Sequence, residues 1–244
     1  MISPQVTLEM VLALSFAGFV QGLTGFGFGM AAVAMLPLLV GLKDAQVVIA
    51  ILTGVVCAAT FLSTWRHFRW REGRGLVLGA GIGVPIGFWA LIYFPASLLL
   101  QLLGLLLCIF SASELWRGDR MPLRIPRALS FPIGVVSGCL GGALNVGGPP
   151  AIAYVYSQPW TKEETVSLLQ VVFGVSALLR LVLLIPSQLI RSEHVWVSLL
   201  TMAPMLVATW CGGRLLTRVP GEKVKVGVFS FLFVMGLKYL FTVN

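Results

Sequence analysis

Charge is scarce in this sequence: charged residues make up 11% of the 244, and none at all falls in residues 10–42, 75–113 or 129–161. Set beside 58% hydrophobic residues, that scarcity excludes a soluble globular domain, which could not hide so much apolar surface. Acidic residues are fewest. All nine, Glu9, Asp44, Glu72, Glu114, Asp119, Glu163, Glu164, Glu193 and Glu222, lie near the ends of apolar segments. That placement argues against a buried carboxylate relay, with Glu114 and Glu164 coming nearest to one. The two histidines, His67 and His194, fall at loops and are expected to be solvated. Cysteine is limited to Cys57, Cys108, Cys139 and Cys211, dispersed without CxxC or Cys/His spacing, so neither a disulfide framework nor a zinc site is expected. There is no HExxH, no GxSxG and no pair of intramembrane carboxylates. An intramembrane enzyme would have no constellation to work with, and no catalytic residue, metal or cofactor is assigned. Lys and Arg are also missing ahead of the first apolar run, and no small-residue cleavage pattern follows a short one. A cleaved signal peptide is therefore not expected, and Met1 onward reads as mature protein.

What the chain has instead is long apolar runs with basic gaps between them. The excess of 17 Lys+Arg over 9 Asp+Glu would suit a nucleic acid if it formed a patch, but it occupies the gaps, where it is a topology signal. One cluster holds Arg66, Arg69, Arg71 and Arg74; a second holds Arg117, Arg120, Arg124 and Arg127; a third holds Arg214, Arg218, Lys223 and Lys225. All three are expected in the cytoplasm and both termini in the periplasm. The bilayer and a small anionic solute are the expected partners, nucleic acid is not, and a homo-oligomer is left open.

The segments recur. An apolar region at 7–41 precedes spans at 45–65, 75–94 and 96–116; an apolar region at 128–157 precedes spans at 165–190, 195–211 and 226–243. A shift of 120 positions superposes Gly18 on Gly138, Gly22 on Gly142, Gly27 on Gly147 and Gly54 on Gly174. The chain reads as an internal duplication, residues 1–121 followed by 122–244 within one membrane domain. The charges reverse between the copies. The gap after the second segment carries four arginines in copy one but only Arg191 against Glu193 in copy two, and the next gap shows the opposite bias. Opposite bias predicts inverted repeats, so each copy must cross the bilayer an odd number of times. The fold class expected is an all-α polytopic membrane protein of two inverted repeats, each a broken or re-entrant helix pair followed by three transmembrane helices. A pair of short full crossings is the alternative for each opening region.

Those opening regions cannot be regular helix throughout. Copy one contains Gly18, Gly22, Gly25, Gly27 and Gly29; copy two contains Gly138, Gly141, Gly142, Asn145, Gly147, Gly148, Pro149 and Pro150. Each glycine costs about 1 kcal/mol relative to alanine inside a helix, and proline favours the first turn of a new one. After Pro150 about ten residues precede Gln158 and Pro159, roughly 15 Å of helix, or half a bilayer. A helix that starts at mid-membrane aims its unpaired N–H groups, the positive end of its dipole, into the protein centre. In an inverted pair two such ends face each other, and glycines let an anion approach the backbone. The GxxxG pairs Gly18 with Gly22 and Gly138 with Gly142 read as helix packing; the clusters after them read as the anion site.

The paired glycine clusters, the second ending in Gly147-Gly148-Pro149-Pro150, together with four-segment halves and the overall length, resemble the TauE/SafE sulfite exporter family, also called the TSUP family. The resemblance covers essentially the whole chain. It implies export or import of small sulfur-containing anions such as sulfite, sulfoacetate or related organosulfonates across a bacterial inner membrane. Asn145 departs from it, standing where copy one and many relatives have glycine. Cys139, beside the second cluster, is then either a small apolar filler or a thiol reactive toward sulfur species.

Independently of that resemblance, Arg180 stands near the middle of the 165–190 span with no Asp or Glu at comparable depth. An intramembrane arginine without an internal partner marks a functional site by default, and its planar fork suits an oxyanion. The alternative is that it snorkels or binds helix-end carbonyls. Thr60 occupies the matching place in copy one; Gln170, Ser176, Thr53, Gln21, Thr24 and Asn145 could add neutral hydrogen bonds, each alone being better suited to nearby backbone than to substrate. The expected substrate-binding set is thus Arg180, Asn145, Gly147, Gly148, Gly25, Gly27, Gln21, Thr24, Gln170 and Thr60. A secondary transporter or exporter of small anions, held at mid-membrane between two helix N-termini and Arg180, fits best; an anion channel, or a carrier for small carboxylates, is the alternative.

Overall fold

The computed structural model describes residues 3–117, 124–216 and 221–242. Every element among them is helical: α1 (Pro4–Thr24), α2 (Phe28–Met35), α3 (Leu42–Thr64), α4 (Trp70–Tyr93), α5 (Ala96–Arg117), α6 (Ser130–Leu144), α7 (Gly148–Tyr156), α8 (Lys162–Leu184), α9 (Ser192–Leu216) and α10 (Gly221–Thr242). Eight are long and apolar enough to cross a membrane. The exceptions are α2 and α7, with 8 and 9 residues, too short to span. The protein is a multi-pass membrane protein whose two opening regions are each a long helix, a three-residue break and a half-length helix. The boundary expected at 121/122 lies outside the described residues, as do Arg120 and Arg218.

Several helices start a turn before the apolar runs do. In α8 the Thr161 hydroxyl accepts the Glu164 N–H at 3.2 Å and the Glu164 carboxylate accepts the Thr161 N–H at 3.0 Å, a capping box that starts the helix at Lys162. Charge therefore marks where a helix leaves the apolar layer, not where it ends.

Packing joins the long helices in four pairs. Helix α4 lies along α6 and α9 along α1, while α3 pairs with α8 and α5 with α10. The α4–α6 seam is made almost without side chains. A Cβ on Gly79, Gly83 or Gly87 would run into the carbonyl oxygens of Phe131, Val135 or Cys139, and one on Gly134, Gly138 or Gly142 into those of Leu76, Ala80 or Val84. Gly18 and Gly22 meet Met205 and Thr209 of α9 in the same way. Small residues every fourth position let backbones touch where lipid provides no hydrophobic drive between helices, as the GxxxG spacing predicted. The large exposed side chains, among them Leu78, Ile82, Trp89, Leu178, Val182 and Val234, are apolar, as a lipid-facing surface requires.

Both like-with-like pairs are antiparallel. Gly104 of α5 packs on Gly236 of α10 while Glu114 near the end of α5 pairs with Lys225 near the start of α10 at 3.3 Å. Cys57 lies against Gly174 where α3 crosses α8, and the end of α3 shares a cavity with the start of α8. Ion pairs gather at the two ends of the bundle. At one end Arg69 holds Glu72 at 2.7 Å and Glu164 at 3.2 Å, and Glu72 also accepts from Arg127 at 3.2 Å and from the Trp160 indole at 2.8 Å. At the other end His194, expected to be solvated at a loop, is instead buried in the first turn of α9, 3.2 Å from Asp44. Glu114 and Glu164, nearest of the acids to a relay, are thus both committed to cations near helix ends.

Candidate functional site

Break one follows from two glycines. Gly25 and Gly27 adopt φ of 78° and 107°, left-handed values that favour glycine. Between them the chain turns from α1 into α2 and leaves polar backbone groups without helical partners. Two glutamines take these up. The Gln21 carbonyl oxygen accepts the Phe28 N–H at 3.1 Å, capping α2; its amide donates to Gln170 at 3.2 Å, and the Gln170 amide donates to the Gly25 carbonyl at 2.8 Å. Thr24 stays local: its hydroxyl is within hydrogen-bond distance of the Val20 carbonyl at 2.9 Å and accepts from the Phe26 N–H at 3.2 Å.

Break two is held differently. Asn145 ends α6 in the left-handed region, φ 59°, which asparagine tolerates better than other side chains, and its amide donates to the Thr53 hydroxyl at 3.3 Å. The Ser137 hydroxyl donates to the Gly147 carbonyl at 2.5 Å. Arg180, only 1% exposed, donates to the Gly141 carbonyl at 2.9 Å and the Ala143 carbonyl at 3.5 Å, and its Nε has no partner. The guanidinium therefore sits on the negative end of the α6 dipole.

The breaks touch: a Cβ on Gly29 would lie 2.8 Å from the Asn145 carbonyl oxygen. Where they meet is a cavity of about 40 Å³, lined by Gln21, Gly27, Phe28, Gly29, Met30, Thr53, Cys57, Gly141, Asn145, Gly147, Gly148, Phe173 and Ser176. Its lining includes residues 120 apart: Gln21 with Gly141, Gly27 with Gly147, Phe28 with Gly148, Thr53 with Phe173. The first turns of α2 and α7 both reach it. They differ in donors, since the N–H groups of Gly29 and Met30 have no helical acceptor while Pro149 and Pro150 carry no N–H at all. Thr53 accepts from Asn145 and keeps its own proton to offer; Ser176 spends its proton on the Val172 carbonyl at 2.7 Å.

Beyond Gln21 lies a second cavity, about 770 Å³, between α1, α3, α8 and α9, with Lys162, Glu163, Thr60, Ser63, Thr64 and Arg214 on its walls. The two spaces share Gln21. Arg214 stacks on the Trp210 ring there, 3.7 Å from its centroid.

The ten expected residues divide accordingly. Gln21, Gly27, Asn145, Gly147 and Gly148 line the small cavity; Gly25 and Thr60 line the large one; Thr24 and Gln170 hold break one. Arg180 is not on the cavity wall. Its fork is occupied by α6 carbonyls, the alternative raised from sequence, because an unpaired helix end lies nearer to it than the cavity does. Gly141, whose carbonyl Arg180 binds, does line the cavity. Phe28, Met30, Cys57 and Phe173 were not expected, although the 120-residue shift from Thr53 lands on Phe173.

The family model described as sulfite exporter TauE/SafE matches residues 10–239, nearly the whole chain. No curated protein and no solved structure matches. The chain belongs to the sulfite exporter TauE/SafE family, and so to membrane exporters of sulfite or related sulfur anions.

Proposed function

From that membership, we propose that the protein is a secondary transporter that moves a small sulfur-containing anion, sulfite, sulfoacetate or a related organosulfonate, across the bacterial inner membrane. The observation that carries this is the meeting of two helix breaks at one small cavity with free backbone N–H donors on its wall. Donors fixed at a helix N-terminus, with about half an elementary charge behind them, replace part of the hydration an anion loses. Arg180 adds a whole charge one peptide away. It is buried with no carboxylate bonded to it among the described residues, and α6 carbonyls offset only part of its charge. An anion in the cavity supplies the rest.

The repeats are inverted in this proposal. Antiparallel pairing of α3 with α8 and of α5 with α10, each helix with its own duplicate, supports it. Asp44 and Glu164, 120 apart, hold like places: Asp44 ties α3 to α9 through His194, and Glu164 ties α8 to α4 through Arg69. By the excess of basic residues we place the Arg69, Arg127 and Arg214 end in the cytoplasm, so the large cavity opens inward, where an exporter loads.

The test is flux in proteoliposomes with a panel of sulfite, sulfoacetate, ethanesulfonate, sulfate and acetate. Saturable movement of the sulfur anions sustains the proposal. Preference for acetate would make it a carboxylate carrier, and non-saturating flux would make it a channel.

A further inference from the structure

One flexible side chain on the wall of the small cavity reaches from one break to the other. Met30, in the first turn of α2 and 3% exposed, leans across the gap between the two breaks. Its Cε and Sδ lie 3.3 and 3.5 Å from where a Cβ on Gly148 would stand, and its Cε lies 4.0 Å from the same point on Gly27. The thioether thus rests on the bare first residue of α7. The position 120 residues on is Pro150, which has no long side chain to answer it, so only one half supplies such a cover. At about 40 Å³ the space beneath holds about three water-sized groups, at the 10–15 Å³ that one water needs. An anion with an organic tail is larger than that and needs the Met30 side chain to move.

We propose that Met30, seated on Gly148, is the specificity-determining residue of this transporter and sets how large an anion the central cavity accepts. This rests on the transport function proposed above. Methionine is unbranched and readily repacks, so it closes tightly over a small occupant and yields partly to a larger one. Gly148 is the fixed half of the gauge: a methyl group there would meet Met30 and the Ile152 Cδ1, 3.2 Å away.

The experiment compares uptake of ethanesulfonate and sulfite in proteoliposomes for wild type, Met30→Ala, Gly148→Ala and the double variant. One methylene in a fitted pocket changes discrimination about 10- to 200-fold. Met30→Ala, three heavy atoms smaller, is expected to raise the ethanesulfonate-to-sulfite ratio about ten-fold or more. Gly148→Ala is expected to lower it by a similar factor, and the double variant to return it toward wild type. If Met30→Ala does not fold, Met30→Val is read in its place. A ratio within about two-fold of wild type in a folded variant that still moves sulfite overturns the inference and leaves the transport function standing. Absence of saturable flux for every anion in wild type overturns both.

Discussion

The break after α1 and the break after α6 stand 120 residues apart in sequence and touch in space, yet their loose backbone groups are satisfied by different means. Break one uses neutral amides, Gln21 and Gln170, and leaves the N–H groups of Gly29 and Met30, two residues of the cavity wall, without helical acceptors. Break two uses a cation on the α6 carbonyls, and Pro149 and Pro150 remove two of the N–H donors from the first turn of its new helix. Break one therefore presents more backbone donors, and break two a charge. An anion bound as proposed would draw on both.

The largest effect should come from removing the charge. Arg180→Gln or Arg180→Ala deletes a charge-assisted bond and the field behind the cavity, worth about 1.5–3 kcal/mol, so apparent affinity for sulfite should fall about 10- to 100-fold. Arg180→Lys keeps the charge, loses the fork and should retain part of the flux. Membrane insertion should not suffer, since a central charge opposes insertion by about 2.5–3.5 kcal/mol on translocon scales. Unchanged KM in a folded Arg180→Ala protein would remove charge from the comparison.

Break one should respond in stability more than in charge sensitivity. Gln21→Leu orphans the Phe28 N–H and a Gln170 acceptor, and each buried unsatisfied group costs about 1–3 kcal/mol. Its Tm should drop clearly, and Gln170→Leu should drop it less. Because the two glutamines share one network, the double variant should cost less than the sum of the singles. Strict additivity would show that they act separately.

Asn145 yields a smaller contrast. Asn145→Gly loses the bond to Thr53 but accepts the left-handed backbone, so thermal unfolding should fall by about 0.5–1.5 kcal/mol. Asn145→Val should cost more, adding about 1–2 kcal/mol of strain. Equal losses would mean that backbone geometry matters little there. Smallest of all, Thr24→Val removes bonds confined to its own turn and should change sulfite flux less than any variant above.

Much of this was legible in sequence because lipid leaves few choices. Uncharged runs gave the spans, glycine clusters gave both breaks, and the 120-residue shift aligned the halves, since backbone at mid-membrane must be helical or deliberately broken. Arg180 was legible as a buried functional cation but not in its aim, because nothing local says whether a guanidinium meets a ligand or a helix end across the bundle. Met30 and Phe173 looked like ordinary apolar filler; only their place against Gly148 and the breaks distinguishes them. The large cavity is not written in any one segment, because its walls come from four helices, α1, α3, α8 and α9.

The most direct test of the central claim is a structure solved with selenite, a heavier stand-in for sulfite whose anomalous signal locates it without ambiguity. The account predicts the anion at the meeting of the breaks, within hydrogen-bond distance of the Gly29 or Met30 N–H and the Thr53 hydroxyl, with Arg180 still on the α6 carbonyls. An anion seated only in the large cavity beside Lys162 and Arg214, or gripped directly by Arg180 with its α6 bonds broken, would contradict it.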